Sequence, residues 1–316
     1  MRYKILNTIS EYPNEAKAIL ETLGSVDYRK LTQEVFLACV GAYDIIMVQL
    51  GLNIHKEVLD RATNLKVIAT STTGLDHIDV VYAKTKGIEV ISLRGEDAFL
   101  RTITGTAELA FGMLIDLARR SPWAFDSVKS FAWDRDLFRG HNMSGMTLGI
   151  VGLGRLGSLM AKYGKAFNMN VIYVDPNVDN TEYTKVTFDK VLRESDAISI
   201  HVHLKEDTEN KFNAETLAKM KPTAYLINTS RGKIVNEEQL LLALQNKKIA
   251  GYGTDVLAGE LDFNGTAFSE YPLVEYAKAH ENVIILPHIG GMTVESRIAT
   301  DVFIAKKTAQ YLEDQV

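Results

Sequence analysis

Residues 147–157 have the sequence Thr147-Leu148-Gly149-Ile150-Val151-Gly152-Leu153-Gly154-Arg155-Leu156-Gly157, and the rest of the chain is best understood from them. The first half predicts a buried strand, and the three later glycines have the G-x-G-x-x-G spacing of a dinucleotide-binding turn. Gly152 permits a tight turn, Gly154 lets the backbone approach a pyrophosphate, and Gly157 lets the next helix pack on the strand. That helix would direct its unpaired N–H groups and positive dipole end at the phosphates.

The residues after the glycine turn strengthen this interpretation. Apolar residues recur at helical spacing, at Leu156, Leu159, Met160, Tyr163 and Phe167. A second strand is predicted over Asn170–Val174, and Asp175 follows it about 18 residues after Gly157. A carboxylate there reaches the ribose hydroxyls and repels a 2′-phosphate, so NAD is favoured over NADP. The alternative is a structural βαβ unit with a chance acid at the strand end.

Length and composition limit the class of protein. The chain has 316 residues, which suggests two domains, and its 46% hydrophobic and 24% charged residues are those of a globular protein. A net charge of −5 and a pI of about 5.9 give no reason to expect a nucleic acid or an anionic membrane as a partner. The single cysteine, Cys39, excludes an internal disulfide and fits a reducing compartment. Its apolar neighbours predict a buried side chain.

No targeting or membrane segment is expected. The N-terminal apolar run is short and is followed by Glu11, Pro13 and Glu15, which is unlike a signal peptide. We expect no segment to approach the ~20 apolar residues that span a bilayer. A cytoplasmic enzyme is therefore expected, and no residue pattern predicts a metal site.

Strand-like and helix-like stretches alternate along the chain and predict an α/β protein with parallel sheets. Before the glycine turn, strands are predicted at Tyr3–Asn7, Asp44–Val48, Leu65–Ala69 and Ile88–Ile91. Helices are predicted in the same part at Ala16–Leu23, Lys56–Ala62, Val80–Thr85 and Thr106–Arg120. After it, strands are predicted at Ala197–His201, Ala224–Asn228, Ile249–Asp255 and Val283–Leu286, with helices at Glu237–Gln245 and Thr293–Leu312.

A glycine and a group of aromatic residues lead to two further structural predictions. Gly24 follows the first helix and is expected to be its C′ glycine. Aromatic residues that follow the helix ending at Arg120 are expected to pack as core anchors, since aromatic side chains are mostly buried. They are Trp123, Phe125, Phe131, Trp133 and Phe138.

Polar residues follow several predicted strands, where ligands of parallel sheets bind. A loop of small residues, Thr70–Asp76, offers backbone N–H groups to an anion, although an ordinary strand-to-helix turn is equally compatible. Arg231 follows another strand, and its planar fork suits a substrate carboxylate or a structural acid. His288 lies between Pro287 and a glycine pair. A lone histidine is usually structural, but a nearby carboxylate would stabilise the protonated form that a proton donor needs.

These motifs together resemble one family over nearly the whole chain. The chain resembles the D-isomer-specific 2-hydroxyacid dehydrogenases, a family that includes D-3-phosphoglycerate dehydrogenase and D-lactate dehydrogenase. The matching segments are Ser71–Asp79, Gly87–Val90, Thr106–Glu108, Trp133–Arg135 with Phe138 and Gly140, the glycine turn, Asn228–Gly232, Asp255, Glu260 and Pro287–Gly291.

The resemblance implies a fold and a set of roles. It implies a Rossmann-type NAD-binding domain over residues 100–291 and a discontinuous, flavodoxin-like substrate-binding domain over residues 1–99 and 292–316. His288 would be the proton donor or acceptor, Glu260 would hydrogen-bond it, and Arg231 would hold the substrate carboxylate and carbonyl oxygen. The nicotinamide would exchange a hydride with C2 of a 2-oxo or D-2-hydroxy acid in a cleft between the domains.

The resemblance also implies binding residues and an assembly. The backbone at Thr73 and Gly74 would bind the substrate carboxylate, and Asp255 would meet the nicotinamide end of the cofactor. The other cofactor-binding residues would be Gly152, Gly154, Arg155, Leu156, Gly157, Asp175 and Thr229. A homodimer is expected.

The sequence departs from the family at four places. Ser92-Leu93-Arg94-Gly95-Glu96 replaces an Asn-x-Pro-Gly type of turn, Arg101 follows it, His203 stands where proline is common, and Leu261–Glu281 is longer than usual. If Arg94 contacts the substrate, the substrate carries a second anionic or strongly polar group. The alternative is a surface ion pair of Arg94 with Glu96 or Asp97.

Other activities remain open at this level. The same fold supports oxidation of formate or phosphite, but Glu260 stands where the family's formate dehydrogenases have glutamine. An NAD-binding corepressor or sensor with little turnover can keep all three of Arg231, Glu260 and His288. A methyltransferase shares the glycine turn but does not need the Arg–Glu–His set.

Overall fold

The computed structural model describes residues 3–180, 182–263 and 269–315, with nothing described for the side chain of Asp262. Its contacts divide the chain into two units. Unit 1 comprises residues 1–103, 261–268 and 293–316, and unit 2 comprises residues 104–260 and 269–292. Part of the long Leu261–Glu281 segment, residues 264–268, lies outside the described residues.

Unit 1 contains a five-stranded parallel sheet. Its strands are β1 (Tyr3–Asn7), β2 (Gly24–Tyr28), β3 (Ile45–Val48), β4 (Val67–Thr70) and β5 (Glu89–Ile91). Their order is β2-β1-β3-β4-β5, the order of flavodoxin-like sheets. The flavodoxin-like prediction is confirmed.

Unit 2 contains a seven-stranded parallel sheet. Its strands are β6 (Thr147–Val151), β7 (Asn170–Val174), β8 (Thr184–Lys185), β9 (Ala197–Ile200), β10 (Tyr225–Asn228), β11 (Gly251–Thr254) and β12 (Val283–Ile285). Their order is β12-β11-β10-β9-β6-β7-β8. The order reverses between β6 and β9, and a doubly wound sheet binds its ligand at such a switch point. The Rossmann-type prediction is confirmed.

Helices cover both sheets. They are α1 (Asn14–Leu23), α2 (Gln33–Cys39), α3 (Lys56–Arg61), α4 (Val80–Thr85), α5 (Asp97–Leu100), α6 (Gly105–Arg119), α7 (Ser121–Lys129), α8 (Arg155–Ala166), α9 (Phe188–Glu194), α10 (Ala214–Leu217), α11 (Glu237–Gln245), α12 (Pro272–Ala279) and α13 (Val294–Glu313).

Alternation along the strands of unit 1 produces a core on each face of its sheet. Ile5 and Ile45 lie in a core with residues of α1 and α13, whereas Leu6 and Ile46 lie in a core with residues of α2, α3 and α4. Because both faces are covered, these strands are continuous apolar runs, as the sequence predicted.

One apolar stretch required a correction. Asp97–Arg119 is 23 residues long and is apolar enough, by length and composition alone, to cross a bilayer. The expectation that no segment approaches the length of a membrane span is therefore wrong by length and composition. In the structure it contains the two separate helices α5 and α6, and Ala110, Leu114 and Ala118 of α6 are buried in the core of unit 2.

Gly24 is not a C′ glycine. Its φ of 173° is extended, and it is the first residue of β2, paired with Tyr3. A Cβ atom at Gly24 would lie 1.8 Å from the Tyr3 carbonyl oxygen. Glycine is therefore required by close strand approach, which helical spacing in the sequence does not reveal.

Three of the five aromatic residues after α6 do not pack as expected. Phe125 is 65% exposed, Phe131 is 100% exposed and Trp133 is 88% exposed, so the prediction is wrong for them. Trp123 is partly buried and packs against the core of unit 2, as predicted, and Phe138 is also partly buried. Cys39, expected to be buried, is only partly buried at the end of α2.

Candidate active site

The glycine turn follows β6 at the switch point of the larger sheet. Gly152 has a φ of +92°, and a Cβ atom there would lie 2.6 Å from the His201 carbonyl oxygen. A Cβ atom at Gly157 would lie 2.0 Å from the Gly152 carbonyl oxygen. Larger residues at either position would displace the turn or α8.

The N-terminus of α8 fits a dinucleotide phosphate. Gly154 is the N-cap residue of α8 and provides no side-chain cap. The first N–H groups of a helix point away from it toward a ligand. A Cβ atom at Gly154 would meet nothing within 4 Å, so a phosphate group has room to approach the backbone there. The missing cap and the open space are the features that a bound pyrophosphate requires.

Asp175 is held beside this turn. One of its carboxylate oxygens accepts a hydrogen bond from the Leu153 amide at 2.9 Å, and the other accepts from the Asn177 and Val178 amides at 2.8 and 3.1 Å. A carboxylate oxygen has two lone pairs, so these bonds leave capacity for a ribose hydroxyl. Asp175 therefore both shapes the turn and places a negative charge beside it.

Thr229 offers a second fit to a cofactor. It follows β10 and is 7% exposed, and its Oγ1 has no hydrogen-bond partner among the described residues. An unsatisfied buried hydroxyl is costly, and a polar ligand atom would relieve that cost.

Arg231 lies just beyond the end of β10. Its backbone carbonyl accepts a hydrogen bond from Asn228 Nδ2 at 2.9 Å, and its Nη1 donates to the Ser230 carbonyl at 2.7 Å. The next residue, Gly232, packs so tightly that a Cβ atom would lie 2.1 Å from the Leu257 carbonyl carbon. The strand end that carries Arg231 is thereby fixed against the segment that leads to Glu260.

His288 and Glu260 form a hydrogen-bonded pair. His288 Nδ1 lies 2.9 Å from Glu260 Oε1, and the two side chains are 29% and 18% exposed. The backbone of His288 is left-handed, with a φ of 55°, a strained conformation for a non-glycine residue that is often found at functional sites. The second oxygen of Glu260 accepts from the Leu257 amide at 3.3 Å.

Asp255 holds the loop that carries His288. It is 1% exposed, and its two oxygens accept hydrogen bonds from the Ile289 and Gly290 amides, each at 2.7 Å. Burial raises the pKa of Asp255 above its usual value, while these two amides act in the opposite direction. The observed partners are thus backbone groups of the His288 loop, whereas a nicotinamide contact remains a prediction.

The proposed anion loop of unit 1 is tied to α13. The Ser71 hydroxyl donates to Asp301 at 2.6 Å, and Asp301 is 2% exposed and paired with Arg297 at 2.7 Å. The Thr72 hydroxyl donates to the Gly74 carbonyl at 2.7 Å, which shapes the loop around Thr73 and Gly74.

Arg94 lies close to that loop in unit 1. The Leu93 amide donates to the Thr72 carbonyl at 3.1 Å, so the two loops are neighbours at the carboxyl edge of the sheet. Arg94 is exposed, and within the described ranges its guanidinium has no ion pair. Glu96 pairs with Lys307 at 2.6 Å instead. The expected alternative, a pair of Arg94 with Glu96 or Asp97, is not found.

Sequence reasoning missed Glu237 and Tyr271. The Glu237 carboxylate accepts hydrogen bonds from the Ala258 amide and from the Tyr271 hydroxyl. Ala258 lies two residues before Glu260 in the chain. The only available signal was an acid at the start of α11. Among the residues described, no group of three or more His, Cys, Asp and Glu side chains is arranged to hold a metal ion.

The family model described as D-isomer specific 2-hydroxyacid dehydrogenase, NAD binding domain, matches residues 111–290. The chain belongs to this family. Its members are NAD-dependent dehydrogenases, and the cofactor of this chain is NAD.

Two relatives and one solved structure illustrate the similarity. D-3-phosphoglycerate dehydrogenase of Synechocystis is 35% identical over 300 residues, which cover 93% of this chain and 51% of that protein. Glyoxylate reductase of Thermococcus litoralis is 35% identical over 296 residues, covering 89% of this chain and 84% of that protein. D-lactate dehydrogenase of Aquifex aeolicus, solved with NAD and lactic acid, has a TM-score of 0.82 at 29% identity, covering 98% of this chain and 96% of that chain. This chain therefore spans about half the length of the phosphoglycerate dehydrogenase that it matches.

The position of Asp175 generates a prediction about the cofactor. Asp175→Asn keeps an acceptor for the turn but removes the charge that would repel a 2′-phosphate. Because like-charge contacts cost several kcal/mol, we expect the preference for NADH over NADPH to fall by at least about 10-fold. Fluorescence titration with both cofactors measures it. Asp179→Asn, at a side chain 90% exposed and paired with Lys185, is the matched control. An unchanged ratio in Asp175→Asn would mean that another group selects the cofactor.

Proposed function

We propose that this protein catalyses NADH-dependent reduction of a 2-oxo acid to a D-2-hydroxy acid, and the reverse oxidation. The observation that carries the proposal is the His288–Glu260 pair at 2.9 Å, which lies in the same unit as Arg231 and the glycine turn. An acid, its carboxylate partner and an anion-binding arginine form the set that carbonyl reduction needs.

Each residue of this set has a distinct proposed task. Arg231 binds the substrate carboxylate and carbonyl oxygen through its planar fork. His288 donates a proton to the oxygen as it becomes an alcohol, and in the reverse direction it accepts that proton. Glu260 orients the imidazole through Nδ1 and stabilises the imidazolium, which leaves Nε2 to face the substrate. Bound NADH supplies the hydride that adds to C2.

The residues of the glycine turn are proposed to hold the cofactor. Backbone groups from Gly152 to Gly157 bind the pyrophosphate and Asp175 binds the ribose. Thr229 and Asp255 are proposed to lie at the nicotinamide end. Asp255 already accepts two backbone amides, so its main contribution is to fix the His288 loop.

The substrate class is proposed from unit 1. The backbone at Thr73 and Gly74 binds the substrate carboxylate, and Arg94 on the neighbouring loop binds a second anionic group. Arg94 is exposed and has no ion-pair partner in the described part of the chain, so its charge is available to a ligand. The relative named D-3-phosphoglycerate dehydrogenase is consistent with a doubly anionic substrate.

A homodimer and a cytoplasmic location complete the proposal. Phe125, Phe131 and Trp133 are exposed on α7 and the segment after it, and large exposed aromatics mark protein–protein contacts. A second copy of the chain is the partner proposed for this surface. The single cysteine, Cys39, fits a reducing compartment.

Turnover with a panel of 2-oxo acids tests the function directly. We expect NADH consumption with at least one class among neutral, branched, aromatic, dicarboxylic, phosphorylated and sugar-derived acids. His288→Ala should lower kcat by about 10²- to 10⁴-fold, the usual contribution of a general acid, with NADH binding intact. Loss of NADH binding in this variant would mean that His288 has a structural role. If the wild type consumes no NADH with any acid of the panel, the proposed reductase activity is wrong.

The role of Arg94 has a separate test. A charged hydrogen bond contributes about 1.5–3 kcal/mol, so Arg94→Ala should lower kcat/KM for a doubly anionic oxo acid by about 10- to 100-fold. The value for a singly charged oxo acid should stay the same. Arg61→Ala, at an exposed arginine already paired with Glu57, is the matched control. An unchanged kcat/KM for every active acid would exclude Arg94 from the substrate site.

A further inference from the structure

The carboxylate of Glu237 has an unusual position for the first residue of a helix. It begins α11 and is partly buried, between that helix and the segment Leu257–Gly259. Burial raises the pKa of Glu237, whereas the donors Tyr271 and Ala258 act in the opposite direction. Burying a carboxylate costs free energy, and this one has a donor for each oxygen, as buried charges require.

The segment held by Glu237 is the one that leads to Glu260. The Ala258 amide donates to Glu237 Oε1 at 2.9 Å, and the adjacent Leu257 amide donates to Glu260 Oε2 at 3.3 Å. Two consecutive amides thus bind two different carboxylates. A shift of this segment moves Glu260, and with it the oxygen that contacts His288.

Backbone contact fixes the same segment from the other side. The space for a Cβ atom at Gly232 is filled by Leu257 and Ala258, with the nearest atoms at 2.1 and 2.2 Å. Gly232 directly follows Arg231, so the segment lies between the arginine's strand end and the Glu237 carboxylate. Its position therefore sets the spacing between Arg231 and Glu260.

Tyr271 completes the arrangement from the long segment that departs from the family pattern. It is the N-cap residue of α12 and precedes Pro272, whose ring restricts the backbone of the residue before it. Its hydroxyl donates to Glu237 Oε2, and its ring lies 3.9 Å from the space for a Cβ atom at Gly259. The hydroxyl and the ring thus contact both the carboxylate and the segment that it holds.

We propose that Glu237 and Tyr271 are positioning residues that hold Glu260 against His288 through the Leu257–Gly259 segment. The inference rests on the proposed function for its kinetic consequence, but the geometry of the pair is independent of turnover. Neither residue needs to touch substrate or cofactor. They act by limiting the movement of Glu260, and misplacement of a catalytic group by about 1 Å can cost 10²-fold in rate.

Three variants separate positioning from general stability. Tyr271→Phe removes one hydroxyl without leaving a cavity, Glu237→Gln keeps an acceptor for the Ala258 amide, and Glu237→Ala removes both contacts. The matched control is Glu238→Gln, which makes the same charge change at the exposed neighbour on α11.

Kinetic and spectroscopic readouts are expected to agree. Glu237→Ala and Tyr271→Phe should lower kcat between about 10- and 100-fold with the KM for NADH unchanged. Glu237→Gln should lie between Glu237→Ala and the wild type, and Glu238→Gln should match the wild type.

The NMR chemical shift of the proton on His288 Nδ1 reports its hydrogen bond to Glu260, so the inference stays testable if the proposed reaction is wrong. The downfield shift of this proton should decrease in Tyr271→Phe and Glu237→Ala, whether or not any oxo acid is reduced, with His288→Ala identifying the signal. If Glu237→Ala fails to fold, Tyr271→Phe decides the outcome. A chemical shift and a kcat equal to those of the wild type in Tyr271→Phe, or an equal change in Glu238→Gln, would overturn the proposal.

Discussion

The parallel sheet of unit 2 is the constraint on which the site depends. All of its strands run in one direction, so their carboxyl ends lie along a single edge. The residues that follow β6, β7, β10, β11 and β12 therefore meet there without being close in sequence. The glycine turn, Asp175, Arg231 and Asp255 are placed by this geometry, and His288 is placed by the bonds from Asp255 to its loop.

Buried and partly buried carboxylates give this edge a defined arrangement. Asp255, Glu237 and Glu260 together bind four backbone amides and two side chains, and each oxygen that accepts from an amide fixes one loop. The charge of His288 lowers the pKa of Asp255, while that of Glu260 raises it. The carboxylate that contacts His288 is thus held by hydrogen bonds that the fold itself supplies, which is a form of preorganisation.

Much of the fold and several of the candidate site residues could be predicted from the sequence, because they depend on local sequence patterns. Glycine spacing predicted the turn, apolar runs predicted the buried strands, and polar residues after those runs predicted Arg231 and His288. The Glu237–Tyr271 contact was not predictable, because it joins two segments whose approach depends on packing. Exposure of Phe131 and Trp133 was missed since aromatic content does not say which face is covered. Gly24 was assigned to the wrong motif, because the close contact between β1 and β2 produces no periodic pattern in the sequence.

We propose that Glu260 makes His288 an effective proton donor, and Glu260→Gln separates this role from a structural one. The measurement is kcat/KM for oxo-acid reduction, with NADH binding determined alongside. A neutral amide keeps a hydrogen-bonding oxygen but cannot compensate the positive charge that His288 carries as a proton donor. The value of kcat/KM should therefore fall in Glu260→Gln, with NADH binding unchanged. A kcat/KM equal to that of the wild type would show that the charge of Glu260 has no part in proton transfer.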